Sequence, residues 1–269
     1  MQVRPLHGNA LELSIVIPVK DEAESIVLLL RELRVAMSAT ASWEVLVVDD
    51  GSSDDTAACV QALAASGYPQ LRLLRHARSC GQSAALSTGA AAARGAWLGM
   101  LDGDGHNDPA DLARIWAQSQ AMEKPPALWI GHRVERHDDS LRRISSRIAN
   151  FVRAQLLHDG VPDTGCGTKL MRRDVFMSLP YFDHMHRFLP ALVRREGYAV
   201  QSVPVRHRPR LNGRSKYGVN NRLWAGLVDL LGVMWLMRRR RLPQAAGAGR
   251  DTAPESHTQP MTAFGGPAK

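Results

Sequence analysis

Four short apolar runs, spaced along the first hundred residues and each followed by turn chemistry and a helical stripe, constrain this chain most. Leu13 to Val19 (LSIVIPV), Glu44 to Val48 (EVLVV), Leu71 to Leu74 and Ala96 to Leu101 are too short for helices. Their composition suits strands buried on both faces. Between them, Glu22 to Met37 carries Ile26, Leu29, Leu30 and Leu33 at helical spacing. Thr56 to Ala65 follows a capping turn, and Gln82 to Arg94 is Ala-rich and closes on Gly95. Pro109 to Met122 is a further helix and Ala127 to Ile130 a further strand. Strand alternating with helix over short connections predicts an α/β fold: an open, mostly parallel sheet flanked by helices. A chain of 269 residues is long enough to bury such a core.

Open sheets of this kind bind ligands at the carboxyl ends of their strands. The acidic motifs fall at those ends: Asp21 and Glu22 after the first run, Asp49 and Asp50 after the second, Asp102 and Asp104 after the fourth. Two carboxylates one residue apart on a glycine-lined turn can face one hard cation, Mg2+ or Mn2+. Gly103 and Gly105 permit close approach of a ligand, and His106 offers a further donor. Asp49-Asp50-Gly51-Ser52 caps a helix, and its Asp50 can also meet a nucleobase or ribose. His184 and His186 form an H-x-H, but with no third ligand nearby they read as loop histidines rather than a metal site. Cys59, Cys80 and Cys166 are far apart and read as reduced, buried thiols of a cytosolic protein, with no cysteine metal site expected.

Charge adds a second clue. Val203 to Arg241 holds ten Lys/Arg and one acid, whereas the whole chain is only +8. The basic excess therefore sits in one stretch, which points to an anionic partner: a membrane surface, a phosphate-bearing substrate or nucleic acid.

Four ordered blocks, LSIVIPVKDE, EVLVVDDGSSDDT, GQSAALSTGAAAARG and LGMLDGDGHNDP, closely resemble the inverting family 2 glycosyltransferases of GT-A (Rossmann-like) fold. The nearest branch is that of the polyprenyl-phosphate glycosyltransferases, typified by dolichyl-phosphate mannose synthase. Later blocks agree: Gly131-His132-Arg133, LRRISSRIANFV, DTGCGTKLMRRDVF, HRFLPALVRREGY and VPVRHRPRLNGRSKYG. The resemblance spans Leu13 to Tyr217. It implies that a sugar passes from a GDP- or UDP-linked donor to a polyprenyl (undecaprenyl or dolichyl) phosphate, with inversion and with a divalent metal.

The resemblance also implies roles. Pro18, Asp21, Glu22 and Asp50 line the donor's base and ribose. Asp102 and Asp104 hold the metal on the donor diphosphate, with His106 where the family often has Gln. Asp104 and Arg133 serve the reaction centre, Arg133 on phosphate. Arg143, Ser146 and Arg147 are candidates for the acceptor phosphate, and Arg214, Ser215 and Lys216 close over phosphates. Lys20 stands where the family often has an aromatic, so the nucleobase is left open.

An acceptor phosphate is already an anion and needs no general base, unlike a hydroxyl. The alternative is the same fold acting on a hydroxyl in lipid A or surface polysaccharide assembly, with Asp163 and Asp183 as possible bases. A nucleotide-sugar pyrophosphorylase is disfavoured because PVKDE occupies the place of its Gly-rich loop. A nucleic-acid module is disfavoured because acids crowd the strand ends.

Leu223, Leu227, Leu230, Leu231, Met234 and Met237 form a helical stripe with Trp224 and Trp235 at its ends, followed by Arg238 to Arg241. That helix, about 22 Å from Leu223 to Met237, is short of a bilayer core of roughly 30 Å. It predicts an interfacial helix, the rival being a helix packed on the body. No secretory signal or membrane span is read. The expected layout is an N-terminal extension (1–10), the catalytic domain (11–217), a basic amphipathic helix (218–242) and a disordered tail (243–269). The expected location is the cytoplasmic face of the inner membrane, held peripherally, with a membrane partner subunit allowed and no nucleic acid.

Overall fold

The computed structural model describes residues 11–134, 153–157, 159–206, 208 and 219–239, with the side chains of 219–225 and 227 left aside. Its first half alternates as expected: β1 (Leu13–Val19), α1 (Ala23–Ala36), β2 (Trp43–Asp49), α2 (Thr56–Ala65), β3 (Leu71–Arg75), α3 (Gln82–Ala92), β4 (Trp97–Met100), α4 (Pro109–Gln120) and β5 (Leu128–Arg133). Then come β6 (Lys169–Arg172), α5 (Arg173–Ser178), a 3-10 turn at Met185–Arg187, α6 (Leu189–Arg195), β7 (Val200–Val205) and α7 (Val219–Arg238).

The seven strands form one sheet in the order β3-β2-β1-β4-β6-β5-β7. All neighbours are parallel except β6, which runs antiparallel to both β4 and β5. The chain leaves β1 toward β2 on one side and returns through β4 on the other. That reversal opens a crevice at the carboxyl ends of β1, β2 and β4.

Alternation along β1 divides the core in two. Leu13, Ile15 and Ile17 face α1 and α4, packing with Ile26, Leu30 and Leu112. Val16 faces the other layer, with Leu86 and Ala90 of α3 and Leu192 of α6. Burying each such side chain stabilises the fold by roughly 1.5–3 kcal/mol. The Ala-rich α3 lies close to the sheet because a Cβ on Gly89 would stand 2.3 Å from Val16 Cγ1. The short, charged β6 carried no strand pattern. Its register, Met100 opposite Lys169, delivers the segment 163–169 to the same sheet edge as Asp102.

Candidate active site

The first two acidic blocks lock together. Asp21 sits in the left-handed region at φ 50°, a conformation that Asp tolerates better than most residues. Its N–H donates to Ser52 Oγ (2.9 Å), and its Oδ1 accepts from Ser53 N (2.7 Å). Glu22 N–H donates to Thr56 Oγ1 (2.8 Å), and Ser25 Oγ donates to Glu22 Oε2 (2.8 Å). The fourth block presses onto the first. Ser25 Oγ donates to the Gly103 carbonyl at 3.1 Å, and a Cβ on Gly103 would come within 2.5 Å of Val19 and 3.1 Å of the Pro18 carbonyl.

Asp50 is buried and accepts from His76 Nδ1 (2.7 Å), Ser79 Oγ (2.8 Å), Cys80 N (2.8 Å) and Gly81 N (2.9 Å). Burial pushes its carboxyl up, but these donors outweigh burial and hold it below its ordinary value. Its carboxylate thus organises the 76–81 loop at the entrance to α3. Of the three cysteines expected to be buried only Cys166 is, and Cys80 is exposed on this loop. Asp50, His76 and Cys80 place ligand atoms within 4.8 Å of one another, yet the carboxylate is spent on ordering the loop.

The acidic pair faces this loop across the crevice. Asp102 Oδ1 accepts from Gln82 Nε2 at 2.8 Å. Removal of water and then the charge of Asp104 push the Asp102 carboxyl up to about 6. His106 donates from Nδ1 to the Arg208 carbonyl (3.0 Å), since a carbonyl can only accept. Its Nε2 stands 3.7 Å from Asp104 Oδ2. Arg208 clamps the arrangement through Glu32 (2.6 Å) and Asp108 (2.8 Å), and Asp108 caps α4 through Ala110 N.

Beside Asp102, Asn107 Oδ1 is buried without a hydrogen-bond partner. A Cβ on Gly167 would fall 2.2 Å from Asp102 Oδ2 and 2.7 Å from Asn107 Oδ1. Raised carboxyl, orphaned oxygen and glycine cradle together form a hard, oxygen-rich, cation-deficient corner. These residues fit Mg2+ or Mn2+ and not a soft metal.

Arg133, at the end of β5, is paired bidentately with buried Asp163: Nε to Oδ2 at 2.7 Å and Nη2 to Oδ1 at 3.0 Å. Lys169 is buried and donates to the Cys166 carbonyl. Burial lowers its pKa against the pull of Asp102 and Asp163. Arg153 reaches Thr164 Oγ1 and pairs with Asp159 at 3.1 Å, which pins the loop that carries Asp163.

The structure therefore gathers Pro18, Asp21, Glu22, Asp50, Asp102, Asp104, His106 and Arg133 at one edge. Arg143, Ser146, Arg147, Arg214, Ser215 and Lys216 lie outside the described residues. Sequence reading missed Gln82, Asn107, Gly167 and Lys169, although each falls inside a quoted block. The two histidines of the H-x-H part company: His184 Nδ1 meets Asp229 Oδ2 (2.9 Å) and His186 Nδ1 meets Ser83 Oγ (2.8 Å). Asp183 keeps an exposed carboxylate that accepts from His184 N.

A mostly parallel sheet with acids gathered at the carboxyl ends of its strands fits the GT-A glycosyltransferase fold. Residues 14–179 match the model of Glycosyl transferase family 2, and the chain belongs to that family. A dodecaprenyl-phosphate galacturonate synthase of Rhizobium johnstonii is 33% identical over 90% of this chain and 73% of that protein. An undecaprenyl-phosphate 4-deoxy-4-formamido-L-arabinose transferase of Sodalis glossinidius is 30% identical over 77% of this chain and 63% of that protein. The fold is also that of glucosyl-3-phosphoglycerate synthase from Mycobacterium tuberculosis, solved with Mn2+, UDP and glucosyl-3-phosphoglycerate. It has TM-score 0.62 and 17% identity, covering 84% of this chain and 79% of that one.

Proposed function

We propose that this glycosyltransferase moves a sugar from a GDP- or UDP-linked donor to a polyprenyl phosphate, with inversion, at the membrane surface. The observation that carries the choice of acceptor is the Arg133–Asp163 pair. Asp163, the buried one of the two carboxylates that could serve a hydroxyl acceptor as base, already gives both oxygens to Arg133. A phosphate acceptor needs no proton removed, and an arginine beside the crevice suits its charge. Both curated relatives are named for polyprenyl-phosphate products or acceptors, which supports the same reading.

Asp102, Asp104 and His106 would hold the divalent ion, which supplies positive charge opposite the leaving diphosphate. Gln82 orients Asp102, and Arg208 fixes His106 through its carbonyl. Asp21 and Glu22 tie β1 to the Ser52–Thr56 turn, and Asp50 shapes the 76–81 loop, so base and ribose meet a preset wall. Arg133 serves phosphate beside the anomeric carbon. An acceptor oxygen attacks that carbon from the face opposite the diphosphate, the bond to the diphosphate breaks, and the nucleoside diphosphate leaves. Arg143, Ser146 and Arg147, with Arg214, Ser215 and Lys216, complete the phosphate sites in this reading.

The test is nucleoside-diphosphate release by purified protein with Mn2+ and a panel of UDP- and GDP-sugars, UDP-galacturonate included. Release that requires added polyprenyl phosphate supports the proposal. Release that instead requires a glycolipid hydroxyl, with none on polyprenyl phosphate, defeats it.

A further inference from the structure

We infer that one face of α7 is a docking surface for an anionic lipid bilayer, an inference that deepens the lipid-acceptor reading by supplying the surface on which that lipid is met. The helix is two-sided. Leu230 (8% exposed) and Val233 (2%) pack into the core layer that contains Leu192, and Arg195 Nε donates to the Leu236 carbonyl at 3.2 Å. On the opposite side Val228 (64%), Leu231 (57%) and Trp235 (60%) stand exposed. Their spacing of three and four residues lines them along one stripe. An exposed tryptophan and two aliphatics in a row are costly in water unless something covers them.

Charge decides what covers them. The sole acid of α7, Asp229, is turned to the body and bonded to His184 at 2.9 Å, so it does not oppose the stripe. At the helix end the Arg239 guanidinium lies 5.6 Å from the centre of the Trp235 ring, beside exposed Arg238, and the sequence continues with Arg240 and Arg241. Apolar stripe, tryptophan and arginine cluster at one end match an acyl boundary beneath anionic headgroups. No helix among the described residues is long and apolar enough to cross a membrane, so α7 lies on the surface rather than spanning it. The contact is also tied to the site. His184 holds Asp229, His186 of the same turn meets Ser83 of α3, and the neighbouring Gln82 holds Asp102. A docked α7 thus presents the crevice to lipid headgroups in a fixed pose.

The test is flotation of the full chain with vesicles that contain neither donor nor polyprenyl phosphate: phosphatidylcholine alone, or mixed with phosphatidylglycerol. Wild type is expected to float with the anionic vesicles and only weakly with the neutral ones. Leu231→Ala with Trp235→Ala should weaken binding by about 10-fold or more. Arg238→Gln with Arg239→Gln should remove much of the anionic preference. Transfer to a short-chain polyprenyl phosphate in detergent should stay within about twofold in both variants, because neither pair touches the site described above. Absence of wild-type flotation, or flotation indifferent to the Leu231/Trp235 pair, overturns the inference. So does a dimer that the same pair converts to monomer in light scattering, which would make a second copy the occupant. Flotation without transfer would instead strike the reaction reading and leave the docking surface standing.

Discussion

Single atoms decide how the proposed metal corner would work. The charge of Asp104 helps push Asp102 upward, so in metal-free protein the two carboxylates oppose each other. Asp104→Asn relieves that repulsion, and its melting temperature without metal should match or exceed wild type. Mn2+ should raise the melting temperature of wild type and leave the variant unmoved. Transfer by the variant should fall by more than the roughly 10- to 100-fold typical of residues that only support a metal ligand. Gln82→Ala, which frees Asp102 to rotate, belongs in that lower band and should appear chiefly as weaker Mn2+ activation. Gly167→Ala forces a methyl to within 2.2 Å of Asp102 Oδ2, so it should lose metal activation while still folding. A Gly167→Ala enzyme with unchanged Mn2+ dependence would remove the cradle from the account.

At the scale of elements, the turn at Met185–Arg187 and its preceding residue His184 clip α3 to α7 through two histidines. Burial, then the nearby cations Lys169 and Arg187, lower the pKa of His186 well below 6.5. The unfolded chain takes up a proton as pH falls below 6.5 and the folded chain does not, so this group's contribution to stability is complete above 6.5 and declines below it. The decline is at most about 1.4 kcal/mol per pH unit. Melts between pH 5 and 8 should show a shallower acid loss in His186→Gln than in wild type. Elements also show what the sequence made legible. Strands β1, β2 and β4 and helices α1 and α4 could be read because their apolar spacing is continuous, and α4 also because Asp108 and Pro109 mark its start. Their carboxyl ends carried Asp21, Asp50, Asp102 and Asp104 with them. Strand β6 could not be read: four residues with Lys169 and Arg172 at its ends look like surface. Only the antiparallel insertion between β4 and β5 buries Lys169 and brings Gly167 against Asp102. Asn107 was hidden for a related reason, since an amide inside an acidic turn gives no sign that its oxygen is buried and unpaired.

Across the whole molecule, the charge imbalance and the acidic strand ends describe one arrangement. Acids line the crevice, Arg133 stands at the end of β5 paired with Asp163, and Arg208 reaches from the basic stretch to anchor beside His106 through Glu32 and Asp108. Helix α7 continues that stretch on the body's opposite layer, with its stripe exposed and its acid turned inward. In the proposed reaction such a molecule would bring a water-soluble donor and a lipid phosphate together at one crevice. The central claim is therefore the bond that it makes. Donor labelled in the sugar, incubated with Mn2+ and polyprenyl phosphate, should yield organic-extractable label that mild acid releases as free sugar. That behaviour marks a sugar joined to lipid through phosphate, and the proton coupling at the anomeric carbon of the intact product should show a configuration inverted from the donor. Label that survives mild acid as a stable glycoside, or no lipid product from any donor beside an active control enzyme, would contradict the account.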